Sequence, residues 1–158
     1  MREKKLPPRL AAIAEFVRSG ASVCDVGTDH AFLPCLLAKN GWEKIYACDI
    51  NENPLNRART QIEKRGLTGL ITLLKSDGLL RVPPCDDVII AGMGGELIAE
   101  IIGKCPFTNE NTRFILQPMT KRDFLREWLC KSGFEVIGEK IVSEKNKTYL
   151  ILYVKLLQ

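Results

Sequence analysis

The feature that most constrains the fold is a regular alternation of strand-like and helix-like segments up to residue 133. Short, almost wholly apolar runs such as "SVCDV" and "KIYACDI" are each followed by a stretch with helical spacing of apolar residues. Such a pair recurs about every 25 to 30 residues, which is typical of βαβ units. These units place parallel strands in one sheet and connect them by right-handed helical crossovers.

The predicted helices have apolar residues every three or four positions, and most of them end near a glycine. They cover residues 7–20, 32–41, 53–66, 95–105 and 121–133. The predicted strands are apolar on both faces, as expected for a sheet that helices cover on both sides. They cover residues 22–26, 44–50, 70–76, 86–92 and 113–118.

The C-terminal part departs from this alternation. Residues 134–144 and 148–157 are two strand-like runs joined by the polar residues "KNK", which predicts an antiparallel hairpin. The prediction is therefore an α/β fold with a seven-stranded, mostly parallel sheet and a C-terminal antiparallel hairpin. The 158 residues are expected to form a single domain, 1–158.

Composition and charge indicate a cytoplasmic protein. No run reaches the roughly 18 apolar residues of a membrane span, and "MREKKLPPRL" lacks the apolar core of a secretory signal. The six cysteines include no C-x-x-C pair and mostly lie in apolar runs, so we expect reduced thiols and no metal site. The net charge of +4 permits an anionic partner, although the basic residues are only loosely gathered.

Acids and glycines follow the first four predicted strands, at the edge where open parallel sheets bind ligands. The first strand leads through Asp25 into Gly27, and the second ends at Asp49. Asp49 lies 22 residues after Gly27, near the spacing of about 20 at which an acid binds ribose hydroxyls. The third strand is followed by "SDGL" and the fourth by "AGMGG". Turn preferences alone would explain one such end, but not four.

The first of these loops indicates which nucleotide binds. A dinucleotide fold needs G-x-G-x-x-G so that pyrophosphate can lie against bare backbone, but here Asp29 and Ala31 occupy the later glycine positions. A carboxylate at Asp29 would repel pyrophosphate. S-adenosylmethionine contains no phosphate and carries a cationic sulfonium and an ammonium group. Nearby carboxylates would stabilise both positive charges. A P-loop sequence is also absent.

Five motifs together carry a family resemblance. In this order, "VGTDHAFLP", "SDGL", "IAGMGG", "ILQP" and "REWL" resemble the bacterial tRNA (adenine-N1) methyltransferase family that acts on adenine 22 of the D-arm. The resemblance runs from about residue 6 to about residue 154. It implies a Rossmann-like class I methyltransferase fold, S-adenosylmethionine as cofactor and tRNA as partner. Family members usually continue into a helical domain that grips tRNA, which we expect to be absent from 1–158.

The resemblance also implies the site residues. Those expected to bind the cofactor leave the first four strands and are Asp25, Gly27, Asp49, Ile50, Asp77, Gly78, Ala91 and Gly92. Those expected near the substrate are His30, Met93, Gly94 and Gly95. Other amino methyltransferases often have Asn/Asp-Pro-Pro-aromatic where this chain has "GMGG".

Asp29 is the predicted catalytic residue. A carboxylate that accepts a hydrogen bond from the exocyclic amine of adenine would stabilise the positive charge that develops when N1 is alkylated. The alternative is that Asp29 only caps the following helix. His30 likewise has a structural alternative, a partly buried histidine bonded to backbone. Two other functions stay open: a methyltransferase of another substrate, and a non-catalytic module that binds cofactor or tRNA.

Overall fold

The computed structural model describes residues 6–157, so the basic residues at positions 2, 4 and 5 lie outside it. Within that range the helices are α1 (Pro8–Phe16), α2 (Phe32–Lys39), α3 (Glu52–Lys64), α4 (Gly95–Gly103) and α5 (Arg122–Lys131). The strands are β1 (Val23–Val26), β2 (Ile45–Asp49), β3 (Ile71–Lys75), β4 (Asp87–Gly94), β5 (Arg113–Thr120), β6 (Phe134–Glu144) and β7 (Lys147–Leu156). The predicted order of elements is confirmed, with boundaries that differ by a few residues.

The seven strands form one sheet in the order β3-β2-β1-β4-β5-β7-β6. Strands β1 to β5 are parallel, and β7 lies antiparallel between β5 and β6. The predicted α/β fold with its C-terminal antiparallel hairpin is therefore confirmed. Because the chain starts in the middle of the sheet and extends outward on both sides, the carboxyl ends of β3, β2, β1 and β4 become neighbours.

Apolar clusters on the two faces of the sheet form the core. On β5, Phe114 and Leu116 belong to one cluster, whereas Ile115 between them belongs to the other, and all three are fully buried. This alternation explains why the central strands are apolar at nearly every position. Trp128 is partly buried against this core and stacks on Phe134 with 5.9 Å between ring centroids.

An ion pair that the sequence did not reveal lies at the amino end of β4. Asp87 is fully buried at the start of β4 and accepts hydrogen bonds from the Arg18 backbone N–H at 2.7 Å and from Nε at 2.8 Å. Burial raises the pKa of Asp87, although the Arg18 guanidinium opposes this rise. The pair fastens the loop after α1 to the centre of the sheet.

Candidate active site

The four strand ends predicted to carry the site lie side by side. Backbone hydrogen bonds connect them: the Gly27 N–H donates to the Cys48 carbonyl at 2.9 Å, and the Ser76 N–H donates to the Asp49 carbonyl at 3.0 Å. The loops after β1, β2 and β3 therefore form one continuous edge. The predicted cofactor residues are brought together by strand order, not by closeness in sequence.

The loop after β1 is in contact with the end of β4. Gly27 has a φ of 73°, a left-handed conformation that favours glycine. The Cε of Met93 lies 2.5 Å from the position a Cβ on Gly27 would occupy. A predicted cofactor residue and a predicted substrate residue thus pack directly against each other.

Asp25 is placed on β1, just below the loop. Burial raises the pKa of its carboxyl to about 7, and the neighbouring Thr28 hydroxyl only partly opposes that rise. Near neutral pH the carboxyl therefore lies close to its titration midpoint. A cation bound nearby would favour the ionised form.

We expect Asp25 to make stability depend on pH. Because its pKa is raised in the folded protein, the folded state holds the proton more tightly than the unfolded chain, and stability falls as pH rises from about 4 to about 7. Asp25→Asn cannot ionise. Relative to wild type, it should gain about 1.5 kcal/mol between pH 5.5 and pH 7. Urea unfolding at the two pH values measures this, and a constant difference would contradict it.

The segment after Gly27 is a short 3-10 turn over Asp29–Ala31 that the sequence did not predict. His30 and Ala31 both have left-handed backbone, with φ values of 60° and 54°. Two consecutive non-glycine residues in this conformation are strained, and such strain is concentrated at functional sites. The His30 ring is partly exposed and stacks on Phe32 at 5.5 Å, and its Nε2 lies 3.8 Å from Asp29 Oδ1.

The alternative in which Asp29 caps the next helix is wrong. Helix α2 begins at Phe32 with Ala31 in the cap position, and no side chain caps it. Asp29 is instead exposed, and its Oδ1 accepts a hydrogen bond from Arg57 Nε at 2.8 Å. The strained turn places the carboxylate too early in the chain to reach the first N–H groups of α2.

Arg57, on α3, is a site neighbour that the sequence analysis missed. In the sequence it is one of the loosely gathered basic residues, a pattern that more often marks a solvated helix face. Its side chain is 45% exposed and that of Asp29 is 55% exposed, so the ion pair contributes at most about 1 kcal/mol to stability. The pair orients the Asp29 carboxylate and leaves it accessible from solvent.

The ends of β2 and β3 offer polar and apolar groups together. Asp49 Oδ1 accepts the Asn51 N–H at 3.0 Å, and Asp77 follows β3 as an exposed acid. Two apolar side chains near these acids in the chain are more than half exposed: Ile50, directly after Asp49, and Leu80, three residues after Asp77. Carboxylates that accept hydroxyl and ammonium hydrogens beside exposed apolar side chains fit the ribose, the amino group and the flat adenine of S-adenosylmethionine.

The glycines at the end of β4 and the start of α4 allow close packing against the end of β5. A Cβ on Gly94 would lie 3.0 Å from the Thr120 hydroxyl, and one on Gly95 would overlap the Lys121 carbonyl oxygen. Gly92 differs, because it has a φ of 76° and open space around its missing Cβ. Close packing against backbone thus requires glycine at Gly95, while Gly94 is tight only against a side chain that can rotate. The predicted roles of Gly92, Met93, Gly94 and Gly95 toward ligands stay predictions.

Within residues 6–157, no group of three or more histidine, cysteine or acidic side chains is placed to hold a metal ion. In the same range, no helix has the length and apolar character needed to span a membrane. The six cysteines are free thiols. Burial raises the pKa of Cys35 and Cys85, which keeps these two thiols protonated and unreactive.

A mixed seven-stranded sheet with acids and glycines at four adjacent carboxyl ends defines a Rossmann-like class I methyltransferase domain. In agreement, residues 6–152 match the family model described as "Methyltransferase domain". The chain is 40% identical over 157 residues to the tRNA (adenine(22)-N(1))-methyltransferase of Bacillus subtilis (strain 168). That alignment covers 96% of this chain and 66% of the relative.

Solved structures extend the comparison. The B. subtilis M1A22 tRNA methyltransferase TrmK superposes with a TM-score of 0.89 at 38% identity, covering 98% of this chain and 68% of that one. M. capricolum TrmK in complex with S-adenosyl-homocysteine superposes with a TM-score of 0.85 at 31% identity, covering 98% and 72%. This chain belongs to the tRNA (adenine-N1) methyltransferase family, which confirms the resemblance found in the sequence.

Proposed function

We propose that this chain transfers a methyl group from S-adenosylmethionine to N1 of adenine 22 in tRNA. The observation that carries the proposal is 40% identity, across 96% of the chain, to a tRNA (adenine(22)-N(1))-methyltransferase. The chain spans about two thirds of that relative, so the proposal concerns what this domain does. The strand-end acids support the same chemistry independently of the relatives. A cytoplasmic location, where tRNA is found, accompanies the proposal.

The cofactor would be held by the four adjacent strand ends. The M. capricolum relative binds S-adenosyl-homocysteine, described as the natural cofactor product. In this chain Asp49 would accept the ribose hydroxyls, since only one of its oxygens is used by Asn51 within the described residues. Asp77 would bind the adenine end, and Gly27 would let the ligand approach the backbone. When bound, S-adenosylmethionine supplies an electrophilic methyl group.

Asp29 would act on the acceptor base. It lies in the strained turn beside the predicted cofactor loop, exposed and oriented by Arg57. A hydrogen bond from the exocyclic amine of adenine to this carboxylate would raise electron density at N1 and stabilise the cationic product. Because N1 lies on the Watson–Crick edge, the target adenine must be unpaired or flipped out of its helix.

The proposal is tested by incubating the protein with S-adenosylmethionine and unmodified tRNA, and then mapping the modified nucleotide. We expect 1-methyladenine at position 22. A tRNA variant carrying guanine at position 22 is the matched control and should receive no methyl group. Methylation elsewhere would point to another substrate. Cofactor binding without transfer to any tRNA would favour a non-catalytic binding module.

A second prediction concerns cofactor affinity. Asp49→Ala should weaken S-adenosylmethionine binding by about 1.5 kcal/mol, or tenfold in Kd, because hydrogen bonds to a charged group are lost. Glu52→Ala is the control, since Glu52 is an exposed acid three residues later that pairs with Lys75. Titration calorimetry should show an unchanged Kd for Glu52→Ala. Unchanged affinity in a folded Asp49→Ala variant would remove Asp49 from the site.

A further inference from the structure

Gln117 near the end of β5 is a buried polar side chain whose amide oxygen and amide nitrogen both make hydrogen bonds. The side chain has no solvent exposure. Its Oε1 accepts the Gly92 N–H at 3.1 Å, and its Nε2 donates to the Pro118 carbonyl at 3.4 Å and to Met119 Sδ at 3.2 Å. A backbone N–H can only donate, so the oxygen must face Gly92 and the amide orientation is fixed.

The Gly92 bond lies where the pairing of β4 with β5 becomes irregular. Ala91 pairs with Gln117, but the next pair is Met93 with Pro118, so Gly92 is left out of the ladder. Pro118 has no N–H to offer at this point. The Gln117 side chain therefore replaces a strand partner for Gly92 and fixes the bulge at which β4 shifts its register against β5.

The bulge held in this way is in contact with the predicted cofactor loop after β1. Met93 follows Gly92 directly, and its Cε occupies the space beside Gly27. After Met93, the backbone is confined by Thr120 and Lys121. A shift at Gly92 would therefore move Met93 against Gly27, while the end of β4 and the start of α4 stay fixed.

We propose that Gln117 is a positioning residue for methyl transfer, which holds the Gly92–Gly95 segment in place through Gly92 and touches neither reactant. The inference rests on the proposed function. In this role, the Gln117 amide sets the geometry of the site that binds the acceptor adenine. A misplacement of about 1 Å at a reacting centre can cost on the order of 100-fold in rate.

The test compares Gln117→Met, which keeps the side-chain length but removes the acceptor for Gly92, with a matched control. The control is Thr112→Val. Thr112 is a buried residue just before β5, and its hydroxyl accepts the Asn109 backbone N–H at 3.1 Å, so this variant also removes a buried acceptor of a backbone N–H. We expect kcat on unmodified tRNA to fall at least tenfold in Gln117→Met. The Kd for S-adenosylmethionine should change less than threefold, and kcat of Thr112→Val should stay within twofold of wild type.

Gln117→Glu gives a second measurement that a purely structural role would not produce. A neutral glutamic acid can accept from Gly92 and donate to Pro118, as the amide does, whereas its anion would face the Pro118 carbonyl. Burial favours the neutral form. The kcat of Gln117→Glu relative to wild type should therefore fall at least threefold between pH 6 and pH 8.5. If Gln117→Met does not fold, the pH profile of Gln117→Glu decides between a positioning role and a purely structural role.

Four outcomes would overturn the inference. They are a kcat of folded Gln117→Met within twofold of wild type, an equal loss in Thr112→Val, a loss confined to cofactor affinity, and a flat relative pH profile for Gln117→Glu. Failure of the proposed function looks different. In that case the wild-type protein itself transfers no methyl group to tRNA, which rejects both ideas together.

Discussion

Replacing Asp29 by asparagine is expected to lower methyl transfer to tRNA by on the order of 100-fold while the protein stays folded and binds S-adenosylmethionine. Asparagine keeps the size and an acceptor oxygen but removes the negative charge. That charge is what would stabilise adenine as it becomes cationic. The structure removes the helix-capping explanation, since Asp29 caps nothing and lies exposed in a strained turn. Single-turnover rates at saturating cofactor and tRNA measure the effect.

Arg57 supplies the control for this prediction. If Asp29 mattered only as the partner of Arg57, then Arg57→Gln would break the same 2.8 Å bond and lose the same activity. If the carboxylate acts on the base, Arg57→Gln should keep the single-turnover rate within about fivefold of wild type, because the charge on Asp29 remains. Equal losses in both variants, or full activity in Asp29→Asn, would exclude the catalytic role.

The second large effect is expected at Gly95. Gly95→Ala should destabilise the protein by about 3 kcal/mol, because its Cβ would overlap the Lys121 carbonyl and crowd that of Thr120. Both contacts are with backbone, so no side-chain rotation can relieve them. The strain would separate the start of α4 from the start of α5. Urea unfolding measures the loss, with far-UV circular dichroism to establish that the variant folds.

Gly92→Ala is the matched control three residues earlier. Nothing lies within 4 Å of its Cβ position, so only the positive φ of 76° opposes the substitution. The expected cost is about 1 kcal/mol, the usual penalty of a left-handed conformation for alanine. Equal destabilisation of the two variants would show that backbone conformation, and not close packing, makes Gly95 necessary.

The fold could be predicted well from the sequence, because each strand and helix is encoded by a local pattern of apolar and turn-forming residues. Apolar runs bounded by glycine and asparagine fixed each element within a few residues, and the boundaries of β6 agree fully with the prediction. The acids and glycines of the site were predictable for a related reason. In a parallel sheet, the residue that leaves a strand is also the residue that faces the ligand edge.

Other features depended on residues far apart in the chain, and only the tertiary structure decided them. The Asp29–Arg57 pair joins a turn to a helix 28 positions later, and Gln117 reaches Gly92 over 25 positions. Neither contact has a sequence pattern, because each depends on how elements pack around the sheet. The left-handed backbone at His30 and Ala31 is likewise imposed by its surroundings, against the local preference of non-glycine residues.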